Sequence, residues 1–153
     1  MVQNPPEGSQ CILPYLNYAD APAVIEFLKN AFGFEQGLLL EMPDGTVGHC
    51  ELQMNGETLM LASAFPEMGL SSPQALGGIH AQVVVYVDDL DAHCARARAA
   101  GAEITQEPAD QFYGDRTYRA VDPEGVGWDF HQHVRDVTPE EMMAAMADME
   151  PRE

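Results

Sequence analysis

The sequence lacks any apolar run that approaches the roughly 18 residues of a membrane-spanning helix. Its start, MVQNPPEGSQ, has neither a basic segment nor an apolar stretch, so it does not look like a secretory signal. Basic residues are also scarce, because 7 Lys and Arg stand against 25 Asp and Glu, a formal net charge of −18. Such a surface repels phosphate backbones and anionic lipids. We therefore expect a cytoplasmic protein that binds neither nucleic acid nor membranes.

Cysteine is sparse as well. The 3 cysteines are far apart in the chain, and no Cys-x-x-Cys spacing occurs: Cys11, Cys50 and Cys94. An odd number with this spacing argues against a disulfide framework and against a thiolate zinc site. We expect all three to be buried, reduced thiols.

The first half of the chain predicts one unit of strand, helix and three strands. A strand over 12–18 is followed by Asp20, a good helix N-cap, and by apolar residues at helical spacing up to Gly33. Strands are predicted over 37–41, 47–54 and 57–62, and Asn55-Gly56 between the last two is a strong hairpin signal.

The same pattern recurs in the second half. Asp89 follows Asp20 by 69 residues, and Gly125 follows Gly56 by the same 69 residues. A repeat of this length indicates a duplicated βαβββ unit in a single α+β domain over 1–153. We divide the chain into repeat one (11–64), a linker (65–79), repeat two (80–134) and a C-terminal helix (138–148).

Several stretches carry a resemblance to a known family: YLNYADAPAVIEFLKNAFGFE, GHCELQMNG, VVVYVDDLDAHCARARAAGAEI, YGDRTYRAVDPEG and WDFHQHV. They resemble the glyoxalase/bleomycin resistance protein/dioxygenase superfamily, also called vicinal oxygen chelate, in its small glyoxalase-like branch. The resemblance implies two βαβββ repeats whose mixed sheets enclose a cleft. It leaves the reaction open, because isomerases, dioxygenases, thiol transferases and drug-binding proteins share this fold.

In metal-dependent members of this family, four ligands line the cleft. The resemblance places them seven residues before each helix cap and four after each turn glycine, at Leu13, Gln82, Met60 and Asp129. Leu13 has no donor atom, and the thioether of Met60 is a soft ligand unsuited to Zn, Ni, Fe or Mn. We therefore expect no metal and no other cofactor at these positions.

Strand alternation predicts which side chains share the cleft with those positions. Counting from the Asn55-Gly56 turn pairs Glu51 with Met60, and the same count from Gly125 pairs Tyr118 with His131. The predicted ligand-binding residues mix aromatic, apolar and polar groups: Tyr15, Asn17, His49, Glu51, Met60, Gln82, Tyr118, Asp129 and His131. This mixture suits a small organic ligand that is partly aromatic and carries a cation or several hydrogen-bond donors.

Three functions remain open at this point. The first is metal-free binding of a small organic molecule in the cleft between the repeats. The second is a glyoxalase-type lyase or isomerase, with a metal held by His49, Glu51 and Asp129 or His131. The third is an orphan domain with a vestigial site. The resemblance and the methionine-rich C-terminal helix (Met142, Met143, Met146) also predict a homodimer.

Overall fold

The computed structural model describes residues 2–79 and 81–149, so His80, two residues before Gln82, lies outside the described residues. The strands are β1 (Tyr15–Tyr18), β2 (Glu35–Glu41), β3 (Val47–Met54), β4 (Glu57–Ser63), β5 (Gln82–Tyr86), β6 (Glu103–Asp110), β7 (Asp115–Val121) and β8 (Gly127–His133). The helices are α1 (Ala21–Phe27), which continues into a π-helical turn (Leu28–Phe32), α2 (Leu90–Ala99) and α3 (Pro139–Ala147). The linker contains two 3₁₀ turns, Pro66–Met68 and Pro73–Ala75.

Each repeat forms its own four-stranded mixed sheet. The strand orders are β1-β4-β3-β2 and β5-β8-β7-β6. In both sheets the first strand of the repeat pairs in parallel with the last, and the other pairs are antiparallel. A parallel pair needs a crossover, which α1 supplies in repeat one and α2 in repeat two. The predicted fold of two βαβββ units with a C-terminal helix is confirmed.

The predicted helix caps are confirmed. The side chain of Asp20 accepts a hydrogen bond from the backbone N–H of Ala23, and that of Asp89 accepts one from Ala92. Thr138 forms a reciprocal capping box with Glu141 at the start of α3. Each cap satisfies backbone donors that the first helical turn leaves free, so short polar residues begin all three helices.

The first hairpin has the predicted register. Asn55 and Gly56 both adopt left-handed backbone angles, with φ of 51° and 81°. A two-residue turn of this kind matches the twist of the flanking strands and pairs Met54 with Glu57. Glu51 therefore lies opposite Met60, as expected.

The second hairpin does not have the predicted register. Its strands are joined by a five-residue loop, 122–126, so that Val121 pairs with Gly127 and Tyr118 pairs with Phe130. An error of one residue moves every side chain of β7 to the other face of the sheet. The predicted pairing of Tyr118 with His131 is wrong, and Thr117 occupies that position.

Strand β1 begins later than predicted because of Pro14. Met60 donates its backbone N–H to the Pro14 carbonyl at 3.0 Å, but Pro14 has no N–H to return to β4. The side chain of Gln10 pairs with Thr58 of β4 instead: its Nε2 donates to the Thr58 carbonyl at 2.6 Å, and its Oε1 accepts from the Thr58 N–H at 3.2 Å. The amide of Gln10 thus replaces one residue of a strand.

A shared core joins the two repeats on the helix-covered sides of their sheets. The ring of Phe32, at the end of the π-helical turn, lies 5.3 Å from the ring of Trp128 and 4.9 Å from that of Phe130. His93 of α2 contacts both repeats: its Nδ1 lies 2.7 Å from the Tyr118 hydroxyl, and its Nε2 lies 2.8 Å from the Phe32 carbonyl oxygen. All of these aromatic residues except His93 are essentially buried. The core is therefore continuous across the repeat boundary.

Two buried carboxylates of the 122–126 loop reinforce this junction. Asp122 accepts a hydrogen bond from the Tyr18 hydroxyl at 2.7 Å and another from the Trp128 indole at 3.1 Å. Glu124 accepts the backbone N–H groups of Ala19 and Asp20, at 2.7 Å and 2.8 Å. The second hairpin thereby holds the segment that leads into α1 of the first repeat.

Other predictions need correction. Cys50 and Cys94 are buried as expected, but Cys11 is exposed because it lies in the N-terminal segment, outside both sheets. Strand β6 spans eight residues, from Glu103 to Asp110. Helix α3 buries none of its residues. In the part of the chain that the structure describes, no helix has the length and apolar character required to cross a bilayer.

Candidate functional site

The face of each sheet that lies opposite its helix is here called its open face. On the open face of the first sheet, three polar side chains contact one another in a row. The Tyr15 hydroxyl lies 3.1 Å from His49 Nδ1, and His49 Nε2 lies 3.3 Å from a carboxylate oxygen of Glu51. Met60 pairs with both Tyr15 and Glu51 across neighbouring strands, so it lies beside this row. Four predicted ligand residues therefore come together: Tyr15, His49, Glu51 and Met60.

These groups remain partly accessible. The side chain of Glu51 is 28% exposed, and that of His49 is 23% exposed. Partial burial raises the pKa of Tyr15 above its ordinary value, so its hydroxyl stays protonated at neutral pH. An ionised Glu51 has only acceptor atoms to offer a ligand, whereas Tyr15 offers a donor and an acceptor.

Asn17 extends the same face towards the linker. It lines a cavity of about 400 Å³ together with linker residues such as Leu70, Leu76 and Ile79. Its side-chain nitrogen is buried and has no hydrogen-bond partner within the described chain. A buried donor without a partner is uncommon in folded proteins, and a ligand or water would satisfy it.

The open face of the second sheet holds a buried acidic and imidazole cluster. Arg119 Nε donates to Asp129 Oδ2 at 3.0 Å. The other oxygen of Asp129 lies 3.4 Å from His131 Nε2, and neither atom has a well-aligned hydrogen-bond partner among the described residues. Asp129 is 4% exposed and His131 is 8% exposed. The predicted residues Asp129 and His131 therefore adjoin each other on one face.

Asp115 organises this cluster, and the sequence did not single it out. Its carboxylate accepts hydrogen bonds from Tyr86, His131 and His133 at 2.8, 2.9 and 2.8 Å. Burial alone would raise the pKa of Asp115, but these three donors outweigh burial and hold the pKa below its ordinary value. The predicted register of the second hairpin was off by one residue and placed the even-numbered residues of β7 on this face. Asp115, which is odd-numbered, was therefore not predicted to lie there.

One predicted residue of repeat two, Tyr118, lies elsewhere. Tyr118 is 0% exposed and faces the core, where its ring stacks on Phe130 at 4.9 Å. It cannot line an open sheet face, so its predicted position in the site is wrong. Gln82 lies on the same sheet face as Asp129, at the exposed start of β5: it pairs with Gly127, and Val84, two residues further along β5, pairs with Asp129.

Among residues 2–79 and 81–149, no hydrogen bond, ion pair or ring contact joins the predicted ligand residues of repeat one to those of repeat two. The side-chain hydrogen bonds between the repeats lie on the helix side instead, at the π-helical turn, α2 and the 122–126 loop. Each face therefore presents its polar groups independently.

The residues present do not fit the family's metal site. Leu13 offers no donor, and Met60 offers only a soft thioether. Within the described part of the chain, no three His, Cys, Asp or Glu side chains are arranged to hold a metal ion. His49 and Glu51 lie on the first sheet, whereas Asp129 and His131 lie on the second. The donor set gives no basis for a metal-dependent step.

Comparison with known proteins identifies related chains. The family model for the glyoxalase/bleomycin resistance protein/dioxygenase superfamily matches residues 11–130. The uncharacterized protein Rv0887c of Mycobacterium tuberculosis (strain ATCC 25618 / H37Rv) is 38% identical over 137 residues, which cover 88% of this chain and 81% of that protein.

Solved structures agree with this match. The crystal structure of TioX from Micromonospora sp. ML1 is 32% identical, with a TM-score of 0.66 and coverage of 82% of this chain and 100% of TioX. TnmS3, an antibiotic binding protein from Streptomyces sp. CB03234, is 24% identical with a TM-score of 0.63, and the match covers 82% of this chain and 96% of TnmS3. Because the identity is 24%, the match with TnmS3 shows that the two chains share a fold and nothing more.

Proposed function

Because the chain belongs to the glyoxalase/bleomycin resistance protein/dioxygenase superfamily, we propose that it binds a small organic molecule on its open sheet faces without a metal. The observation that carries this proposal is the polar chain of Tyr15, His49 and Glu51 beside the apolar Met60. An aromatic ring, an apolar side chain and a few oriented polar groups are the usual components of a small-molecule site.

One of the comparisons supports the binding of a small molecule. TnmS3, which is an antibiotic binding protein, shares the fold of this chain. The substitutions at the family's ligand positions, Leu13 and Met60, also favour binding over metal-dependent catalysis. We therefore place the glyoxalase-type lyase or isomerase second.

We further propose that a homodimer completes the cleft. Within one chain, the hydrogen bonds that join the repeats lie on the helix sides of the sheets, so the opposite faces make none of these joining bonds. Large apolar side chains are exposed in two places: Leu38, Leu40 and Met42 at the β2 edge, and Met143 and Met146 on α3. Exposed apolar surface of this kind is typical of subunit interfaces. Cytoplasmic location also remains part of the proposal.

The main test is a ligand screen on metal-analysed protein. A thermal-shift library of aromatic compounds, with and without amine groups, should contain members that raise the melting temperature. Glu51→Gln should weaken an amine-bearing ligand by about 1.5–3 kcal/mol if their contact is buried, with little change in folding. The matched control is Glu57→Gln, an exposed position on the same hairpin. A library without a single stabilising compound would favour a vestigial site.

A complementation experiment tests the shared cleft. Two differently tagged chains are prepared, one with Glu51→Gln and the other with Asp129→Asn, so that neither homodimer has an intact site. If the cleft combines repeat one of one chain with repeat two of its partner, the purified heterodimer regains one intact site. A cleft within each chain would regain none. Light scattering that shows a monomer at micromolar concentration would refute the dimer directly.

A further inference from the structure

The N-terminal segment before β1 lies across the open face of the first sheet. This segment, residues 4–11, is here called the arm. Together with β3 and β4 it encloses a cavity of about 560 Å³, which is within the size range of small-molecule sites. The sheet side of the cavity includes Glu51 and Met60, and the arm side includes Pro5 and Pro6. The arm therefore covers two of the residues that we assign to ligand binding.

Among the described residues, the hydrogen bonds between the arm and the sheet are those of Gln10. Gln10 makes two hydrogen bonds with the backbone of Thr58, and Thr58 also lines the cavity. These bonds exist because Pro14 cannot donate to β4, which leaves the Thr58 carbonyl in need of another donor. The attachment is local, so the remainder of the arm can move away from the sheet without breaking a strand pair.

The lining of the cavity indicates the charge of its ligand. Glu7 and Glu51 are both among the lining residues, and none of the described lining residues is Lys, Arg or His. The polar contact of the Glu51 carboxylate is His49, on the same strand. A positively charged group would therefore meet two carboxylates, with no Lys or Arg among the described lining residues. Leu13 and Met60 offer apolar surface to the rest of such a ligand.

We propose that the arm is one wall of the binding site and closes over an amphiphilic amine, whose ammonium group pairs with Glu51. The inference rests on the proposed function, because it assumes that the open face of repeat one binds small molecules. It adds a ligand class and a closing element.

The test uses 2-phenylethylamine and its neutral analogue 2-phenylethanol, with affinities measured by calorimetry. The wild-type protein should bind the amine about tenfold more tightly than the alcohol, because a charge-assisted hydrogen bond adds to the same apolar contact. Glu51→Gln should abolish this preference and leave the alcohol affinity unchanged.

A second variant isolates the arm. Gln10→Met keeps the length of the side chain and removes both hydrogen bonds to Thr58. It should weaken both probes by a similar factor and preserve their ratio. Gln3→Met, an exposed arm-side position outside the cavity lining, is the matched control and should bind both probes normally. Hydrogen exchange of the arm amides should slow when the amine binds to the wild-type protein.

The outcomes separate the two proposals. If Gln10→Met binds both probes like the wild type, or if the amine leaves arm exchange unchanged, the arm is not a wall of the site. Binding on the open face then still stands, provided that Glu51→Gln removes the amine preference. If neither probe binds, the amine assignment is overturned, and the library screen decides the proposed function independently.

Discussion

Replacement of Asp122 by Asn tests the junction between the repeats. The buried carboxylate accepts four hydrogen bonds: from the Tyr18 hydroxyl at 2.7 Å, the Trp128 indole at 3.1 Å, and the backbone N–H groups of Glu124 at 3.0 Å and Val126 at 3.1 Å. An Asn side chain has one oxygen, so its NH₂ group must face two of these donors. Two buried donors would then have no acceptor.

The expected loss of stability is large. A buried donor without an acceptor costs about 1–3 kcal/mol, and the neutral side chain recovers part of that cost because no charge is buried. We therefore expect the free energy of unfolding to fall by about 3 kcal/mol, a substantial fraction of the roughly 5–15 kcal/mol of a typical domain. With a urea dependence of about 2 kcal/mol per molar, the midpoint should fall by about 1.5 M.

Urea unfolding monitored by tryptophan fluorescence is the assay, because Trp128 is the single tryptophan of the chain and contacts Asp122. Asp88→Asn, at an exposed position, is the matched control and should unfold like the wild type. Tyr18→Phe removes one donor and leaves the carboxylate bound to three others, so it should cost about 1 kcal/mol. If Asp122→Asn is no more destabilising than Tyr18→Phe, the reasoning about unsatisfied donors is refuted.

Further predictions concern the two sheet faces. Tyr118→Phe should lower stability by about 1 kcal/mol in urea unfolding and leave ligand affinity unchanged, since its hydroxyl lies in the core; a loss of affinity without a loss of stability would contradict the observed register. The pKa of Asp115 is lowered in the fold, so its stabilising contribution is complete above its ordinary pKa and is lost as the pH falls through the lower folded value; Asp115→Asn should flatten acid unfolding curves below about pH 4. Met60→Glu places a second carboxylate opposite Glu51, so the melting temperature should fall without tight metal binding; stoichiometric metal in the dialysed variant, measured by elemental analysis, would show that fewer ligands suffice.

The duplicated fold and the register of the first hairpin could be predicted from short stretches of sequence. The 69-residue spacing of helix caps and turn glycines predicted the duplication, because capping and left-handed turns depend on a few neighbouring residues. The Asn55-Gly56 turn determined the register of the first hairpin, and strand alternation then brought His49, Glu51 and Met60 to one face. The roles of these residues in binding remain predictions.

The tertiary structure decided the register of the second hairpin and the side of each sheet that joins the repeats. The turn around Gly125 does not by itself reveal a five-residue loop, because Asp122 and Glu124 of that loop also accept hydrogen bonds from Tyr18 and Ala19 of the other repeat. That loop put Tyr118 in the core and Asp115 beside His131. Sequence periodicity also could not show which side of each sheet joins the repeats, since both faces carry aromatic and apolar residues. The packing of Phe32 against Trp128 and Phe130 determined that the helix sides of the two sheets meet.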